Sequence, residues 1–245
     1  MRRFSFYWFL WLLLAVAARG ELAQDLAQIH AEAIGGRDRL QQWKGLRASG
    51  RVITAGQELE FELIAARPNR VRVVVRSGGR ALLQATDGAV AWQQDLGSGE
   101  PPRLMAPADA RDFIADAEFD DALVNWRERG YALDYAGEAQ WDGGRVFKLL
   151  VTRPGEAPSF LLLDATTFFI VARLAAAADH LVGGSAQETR YDDFRPVGGI
   201  ILPHRIRVYA GSRLLRETVL GHVLPVAEPA PEVFAMPIGA VSTAP

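Results

Sequence analysis

From Leu46 onward the chain is a succession of short segments in which apolar and polar residues alternate, separated by turn-forming pairs and triplets, and this rhythm dictates β-structure. The segments are Leu46–Thr54, Glu58–Ala65, Arg70–Arg76, Ala81–Thr86 and Ala89–Gln94, then Tyr131–Tyr135, Gly144–Thr152, Phe160–Leu163, Phe168–Leu174, Ala186–Phe194, Ile200–Tyr209 and Leu214–Leu224. Ala55-Gly56, Arg67-Pro68-Asn69, Gly78-Gly79 and Asp87-Gly88 close hairpins between the earliest of them. A sheet of about 11–12 antiparallel strands curls strongly and presents one concave face.

Helical spacing occurs twice. Leu22, Leu26, Ile29 and Ala33 form one stripe, which Gly35-Gly36 ends where a left-handed cap is expected, and a further turn runs from Arg37 to Trp43. Between Pro107 and Gly130, Phe113, Ala117, Phe119, Leu123 and Trp126 recur at intervals that predict two short helices. The class is therefore α+β, with the inserted helices suited to covering the concave face.

The N-terminus reads as an export signal: Met1-Arg2-Arg3, an uncharged run from Phe4 to Ala18, and small residues at Ala15, Ala17, Ala18 and Gly20. Residues 1–20 are expected to be a signal peptide and 21–245 one domain, placed in the periplasm; a retained N-terminal anchor is the alternative. Cysteine is absent, which excludes disulfides, thiolate metal sites and a lipid-modified cysteine. A net charge of −2 without a basic stripe argues against nucleic acid as a partner.

The motifs that could carry chemistry read better as sheet architecture. Glu58, Glu60 and Glu62 alternate with Leu59, Phe61 and Leu63, and Arg70, Arg72 and Arg76 with Val71, Val73 and Val75. Closure at Arg67–Asn69 then predicts acids opposite arginines on one face. In Tyr191–Ile206, Asp192 and Asp193 are consecutive on a strand or its end and point to opposite faces, with Pro196–Gly199 as the turn, so the stretch is a hairpin rather than a metal site. His30, His180, His204 and His222 have no ligand spacing, and Ser98 lies in no nucleophile elbow. No cofactor, metal or catalytic residue is expected.

What remains is a wealth of large apolar side chains, and the order of landmarks around them resembles the LolA/LolB-like periplasmic outer-membrane lipoprotein-sorting proteins. The matching stretches are A-I-G-G-R-D-R-L-Q-Q-W-K-G-L-R-A-S-G-R, A-R-P-N-R-V-R, T-D-G-A-V-A-W, F-D-D-A-L-V-N-W-R-E-R-G-Y, L-L-D-A-T-T-F-F-I-V-A-R, Y-D-D-F-R-P-V-G-G-I-I-L-P-H-R-I and V-F-A-M-P. The resemblance implies an incomplete antiparallel barrel closed by helices over an apolar cavity that accepts acyl chains. On that reading Phe61, Leu63, Val73, Leu83, Trp92, Phe147 and Phe160 form the concave wall, and Phe113, Phe119, Leu123 and Trp126 the lid. The expected protein is a soluble, monomeric carrier or binder of a lipoprotein's acyl chains or a free lipid in envelope trafficking, with an inner-membrane transporter as candidate partner. The alternatives are an envelope protein-interaction module without lipid cargo and a carboxylate-based hydrolase.

Overall fold

The computed structural model describes residues 20–175 and 187–237. The expected signal peptide up to residue 19, and His180, lie outside the described residues. Three α-helices are described: α1 (20–33), α2 (Arg37–Gln42) and α3 (Pro107–Asp116). The strands are β1 (Gly45–Thr54), β2 (Gln57–Ala66), β3 (Arg70–Ser77), β4 (Arg80–Thr86), β5 (Ala91–Asp95), β6 (Arg103–Leu104), β7 (Ala132–Trp141), β8 (Gly144–Thr152), β9 (Ser159–Asp164), β10 (Ile170–Ala175), β11 (Gln187–Val197), β12 (Ile200–Ala210) and β13 (Arg213–Val226).

All thirteen belong to one antiparallel sheet ordered β6-β5-β4-β3-β2-β1-β13-β12-β11-β10-β9-β8-β7, unclosed among the described residues because β6 and β7 end the series. The α+β class and the unclosed antiparallel sheet agree with the sequence reading. The two-residue β6 is an addition, too short to show a period. Among the described residues no helix is long and apolar enough to cross a membrane. The chain divides into two compact units, the first built from described parts of Met1–Arg37, Ala122–Tyr191 and Val208–Arg213, the second from those of Asp38–Asp121, Asp192–Arg207 and Leu214–Pro245.

In the first unit α1 covers one face of β7–β10. Its buried face is Ala23, Leu26, Ala27, His30 and Ala31, while Leu22 and Ile29 of the expected stripe are each 42% exposed. The alanine-rich stripe prevails because small side chains let the helix approach the sheet closely, and His30 can join it because its Nδ1–H donates to the Phe168 carbonyl at 2.7 Å. Gly36 N bonds Ala31 O at 2.9 Å and Gly35 N bonds Glu32 O at 3.1 Å, the paired bonds of a Schellman cap. The core here is Leu133, Leu149, Val151, Leu161, Leu163 and Ile170 with Leu123 and Ala122. The second helix expected before Gly130 does not form. Residues 122–130 are turns, although Tyr131 N to Trp126 O at 2.8 Å and Gly130 N to Arg127 O at 3.1 Å still make a helix-type stop at Gly130.

In the second unit β1–β5 carry apolar side chains on both faces. Register fixes which face each residue joins, since cross-strand partners share one. Phe61 lies opposite Val75, Leu63 opposite Val73 and Ala65 opposite Val71, whereas Val74 lies opposite Glu62 and Leu83. The expected charge pairing of this hairpin is only partly realised: Arg76 faces Glu60 and bonds Glu62 at 3.3 Å, but Arg72 faces Ile64 and Arg70 faces Ala66. Gly50 sits at a bulge against β13, where a Cβ would strike the Val219 carbonyl, so no larger residue fits.

Candidate functional site

The eleven residues assigned from sequence to a wall and a lid fall into distinct packed groups. In the second unit, Leu63 joins Phe113 and Phe119 around buried Ala65, Val71 and Ala117. Phe61, 4% exposed, lies on the same face two residues along β2, and Val73 is the cross-strand partner of Leu63. Leu83 and Trp92 occupy the reverse face of that sheet with Val74, Ala85 and Met236. There the Trp92 indole N–H donates to the Phe234 carbonyl at 2.9 Å, so the C-terminal segment seals this side.

In the first unit, Leu123, Trp126 and Phe147 pack on the α1-covered face with Phe168, whose ring stacks on Phe147 at 6.0 Å. Phe160 lies on the opposite face, paired with Leu150 and capped by the Lys148 ammonium at 4.7 Å. Leu123 is wholly buried in the core, whereas Trp126 and Phe147 are half-buried.

Of these groups the α3-covered face of the second unit is the least closed. No residue of α3 is fully buried, and its N-cap, Ala106, makes no side-chain cap. Helical spacing puts Ala110, Phe113, Ile114 and Ala117 on one stripe, and Phe113 and Phe119 lie against the sheet. Beyond them Val73 and Val75 are half-buried and Leu82 is 39% exposed. A helix held by half-buried aromatics on an apolar face has little of its own to keep it shut.

One residue missed in the sequence fixes the chain just past α3. Arg67, in the β2–β3 turn, pairs with Asp120, donates to the Leu40 carbonyl at 2.5 Å and the Trp43 carbonyl at 2.8 Å, and lies 4.8 Å over the Phe119 ring. Burial lowers the affinity of its guanidinium for the proton relative to a free arginine. The only sequence hints were an arginine in a turn and the paired acids Asp120-Asp121, which carry no spacing signal.

The Tyr191–Ile206 stretch is the hairpin expected. Gly198 and Gly199 turn it at φ of 54° and 85°, and its two carboxylates serve different arginines. Asp192 takes Arg207 at 2.5 Å; Asp193 takes Arg195 at 2.9 and 2.7 Å, and that hydrogen bond holds the Asp193 carboxyl below its ordinary range. His204 is buried and its Nδ1–H donates to the Leu202 carbonyl at 3.1 Å. Among the described residues no three His, Asp or Glu side chains gather as metal ligands.

No protein-family model and no curated protein matches the sequence. Solved structures do share its fold. A DUF1329 family protein from Desulfovibrio piger superposes with a TM-score of 0.61 at 11% identity, over 89% of this chain and 97% of that one. A domain assigned as an outer membrane lipoprotein-sorting protein from Vibrio parahaemolyticus gives 0.58 at 11% identity, over 83% and 92%. A LolA superfamily protein from Nitrosomonas europaea gives 0.54 at 13% identity, over 82% and 98%. The fold is thus that of LolA-type proteins, as the landmarks in the sequence suggested.

Proposed function

We propose that the protein is a periplasmic carrier or binder of an amphiphile, and that the acyl chain lies between α3 and the face of β2–β4 carrying Phe61, Leu63, Val73 and Val75. The observation that carries this reading is a helix with no fully buried residue, lying through Phe113 over an apolar sheet face. A chain of sixteen carbons costs roughly 12 kcal/mol to expose to water, at about 0.8 kcal/mol per methylene. Shielding it calls for non-directional apolar contact, and releasing it calls for a cover that opens cheaply; half-buried aromatics on a loosely held helix provide both. The fold shared with a lipoprotein-sorting domain supports the same reading.

In the first unit, Trp126 and Phe147 belong to a core whose neighbours Leu123, Leu149 and Leu163 are wholly buried, so the second unit is the better seat for a chain. Mass spectrometry of solvent extracts from gently purified protein tests the proposal. Acyl species co-purifying with the protein, and depleted in Phe113→Asp, are expected; repeatedly empty extracts would count against carriage.

A further inference from the structure

The α3-covered face is not apolar throughout, and its one polar interruption bears on which amphiphile it takes; the inference rests on the reading just given. Register runs a single cross-strand row over this face: Leu63 lies opposite Val73, Val73 opposite Gln84, Gln84 opposite Gln93, and Gln93 opposite Arg103 on β6. Cross-strand partners share a face, so both glutamines project on the side that carries Leu63. α3 packs against β5, the strand of Gln93. Of the flanking rows, Val71, Thr86 and Ala91 are buried, whereas Val75 is half-buried and Leu82 exposed. The glutamines therefore stand where the face passes from closed to open.

Both glutamines are half-buried, and among the described residues their side chains bond only each other, Gln84 Nε2 donating to Gln93 Oε1 at 3.4 Å. Whichever amide donates, this single long contact leaves the amino group of one and the carbonyl oxygen of the other without a protein partner. Water serves these groups while the face is open. A chain laid across Val73 with α3 over it displaces that water, and an amide desolvated without a replacement partner costs affinity. A ligand that carries a hydrogen-bonding group at this point of its length avoids the cost. Three strand spacings of about 4.8 Å separate Gln93 from Leu63, so a polar group held at the pair leaves the chain an apolar run over Val73 and Leu63.

We propose that the amphiphile bound under α3 is an acyl compound, joined to its head group through an ester or amide carbonyl, and that the Gln84–Gln93 pair selects it by donating a carboxamide N–H to that carbonyl. A chain joined through an ether offers no carbonyl and leaves the pair desolvated and unanswered.

The test uses the full chain and two probes that differ only in the carbonyl, 1-decanoylglycerol and 1-O-decylglycerol, each titrated calorimetrically below its critical micelle concentration. Both are uncharged, which keeps Arg103 and the aspartates of α3 out of the comparison. The ester is expected to bind about tenfold tighter than the ether, the effect of one hydrogen bond formed in place of a stranded donor. Gln84→Leu combined with Gln93→Leu should bring the ratio close to one, by weakening the ester and not the ether, with circular dichroism unchanged. Equal affinities in the wild type, or a ratio that survives the double variant, would overturn the carbonyl assignment and leave chain binding standing. Binding of neither probe would overturn both.

Discussion

Replacing Arg67 by Gln removes the central member of a cluster that joins the β2–β3 turn, α2 and the segment after α3. The guanidinium gives hydrogen bonds to the Leu40 and Trp43 carbonyls, pairs with Asp120 and covers the Phe119 ring. The two partners are largely out of water, with 20% and 9% of their side-chain surfaces exposed, so screening does not erase the pair. Removing one member of a buried pair strands the other charge, at a cost of about 3–5 kcal/mol. Partial exposure of Arg67 argues for the lower end, about 3 kcal/mol. Asp120→Asn keeps a polar group and should cost about 2 kcal/mol, and the double variant should cost less than the sum, leaving a coupling of about 1.5 kcal/mol or more. Arg67→Lys keeps charge but loses the planar fork that reaches two carbonyls and a carboxylate together, so it should recover less than half of the loss. Urea unfolding followed by circular dichroism and tryptophan fluorescence gives all four values. A loss below about 1 kcal/mol in Arg67→Gln, or a coupling near zero, would refute the view that this cluster holds the chain beside α3.

Other consequences are simpler. Phe234 is fully buried, so Phe234→Ala should destabilise by about 3–5 kcal/mol in the same unfolding assay, with a near-native value indicating that the C-terminal segment is dispensable. Gly50→Ala forces a Cβ onto the Val219 carbonyl and should leave the protein insoluble or strongly destabilised, whereas a Cβ at Gly144 meets only ordinary contacts at 3.7 and 3.8 Å, so Gly144→Ala should be neutral or slightly stabilising. Asp164 is pushed up by burial, but the Thr167 N–H and hydroxyl and the Thr166 N–H more than offset this and hold its carboxyl below the ordinary range. A depressed folded-state value means the stabilisation is present above about pH 4 and is lost as pH falls through that lower value. Unfolding of Asp164→Ala against wild type should therefore differ at pH 7 and converge in strong acid, and a gap that persists there would contradict the assignment.

Most of the sheet could be read from period and turns because hairpin chemistry is local: Gly198-Gly199 and Asp87-Gly88 specify their turns without help from distant residues. Faces were harder. Leu82 and Leu83 are consecutive, so a period of two cannot say which points where, and only pairing through Val74 sends Leu83 and Trp92 to the reverse side. The stripe of α1 was misplaced for a related reason, since Leu22 and Ile29 outrank alanines in hydropathy while close packing favours Ala23, Ala27 and Ala31. Phe119, Leu123 and Trp126 kept helical spacing through a segment that folds as turns, because Arg67 and Pro68, remote in sequence, hold Asp120 and the Phe119 amide. Of the expected lid, Phe113 and Phe119 reach the Leu63 face, while Leu123 and Trp126 pack in the other unit. The cover was thus visible in composition, but its division between two cores depended on tertiary contacts.

The most direct test of the central claim is to let the protein bind an uncharged long-chain amphiphile carrying a diazirine midway along its chain, illuminate it, and map the adducts by peptide mass spectrometry. Adducts on the peptides holding Phe113 to Phe119 and Phe61 to Val75 are predicted. Adducts confined to other peptides, or none above a heat-denatured control, would contradict the account.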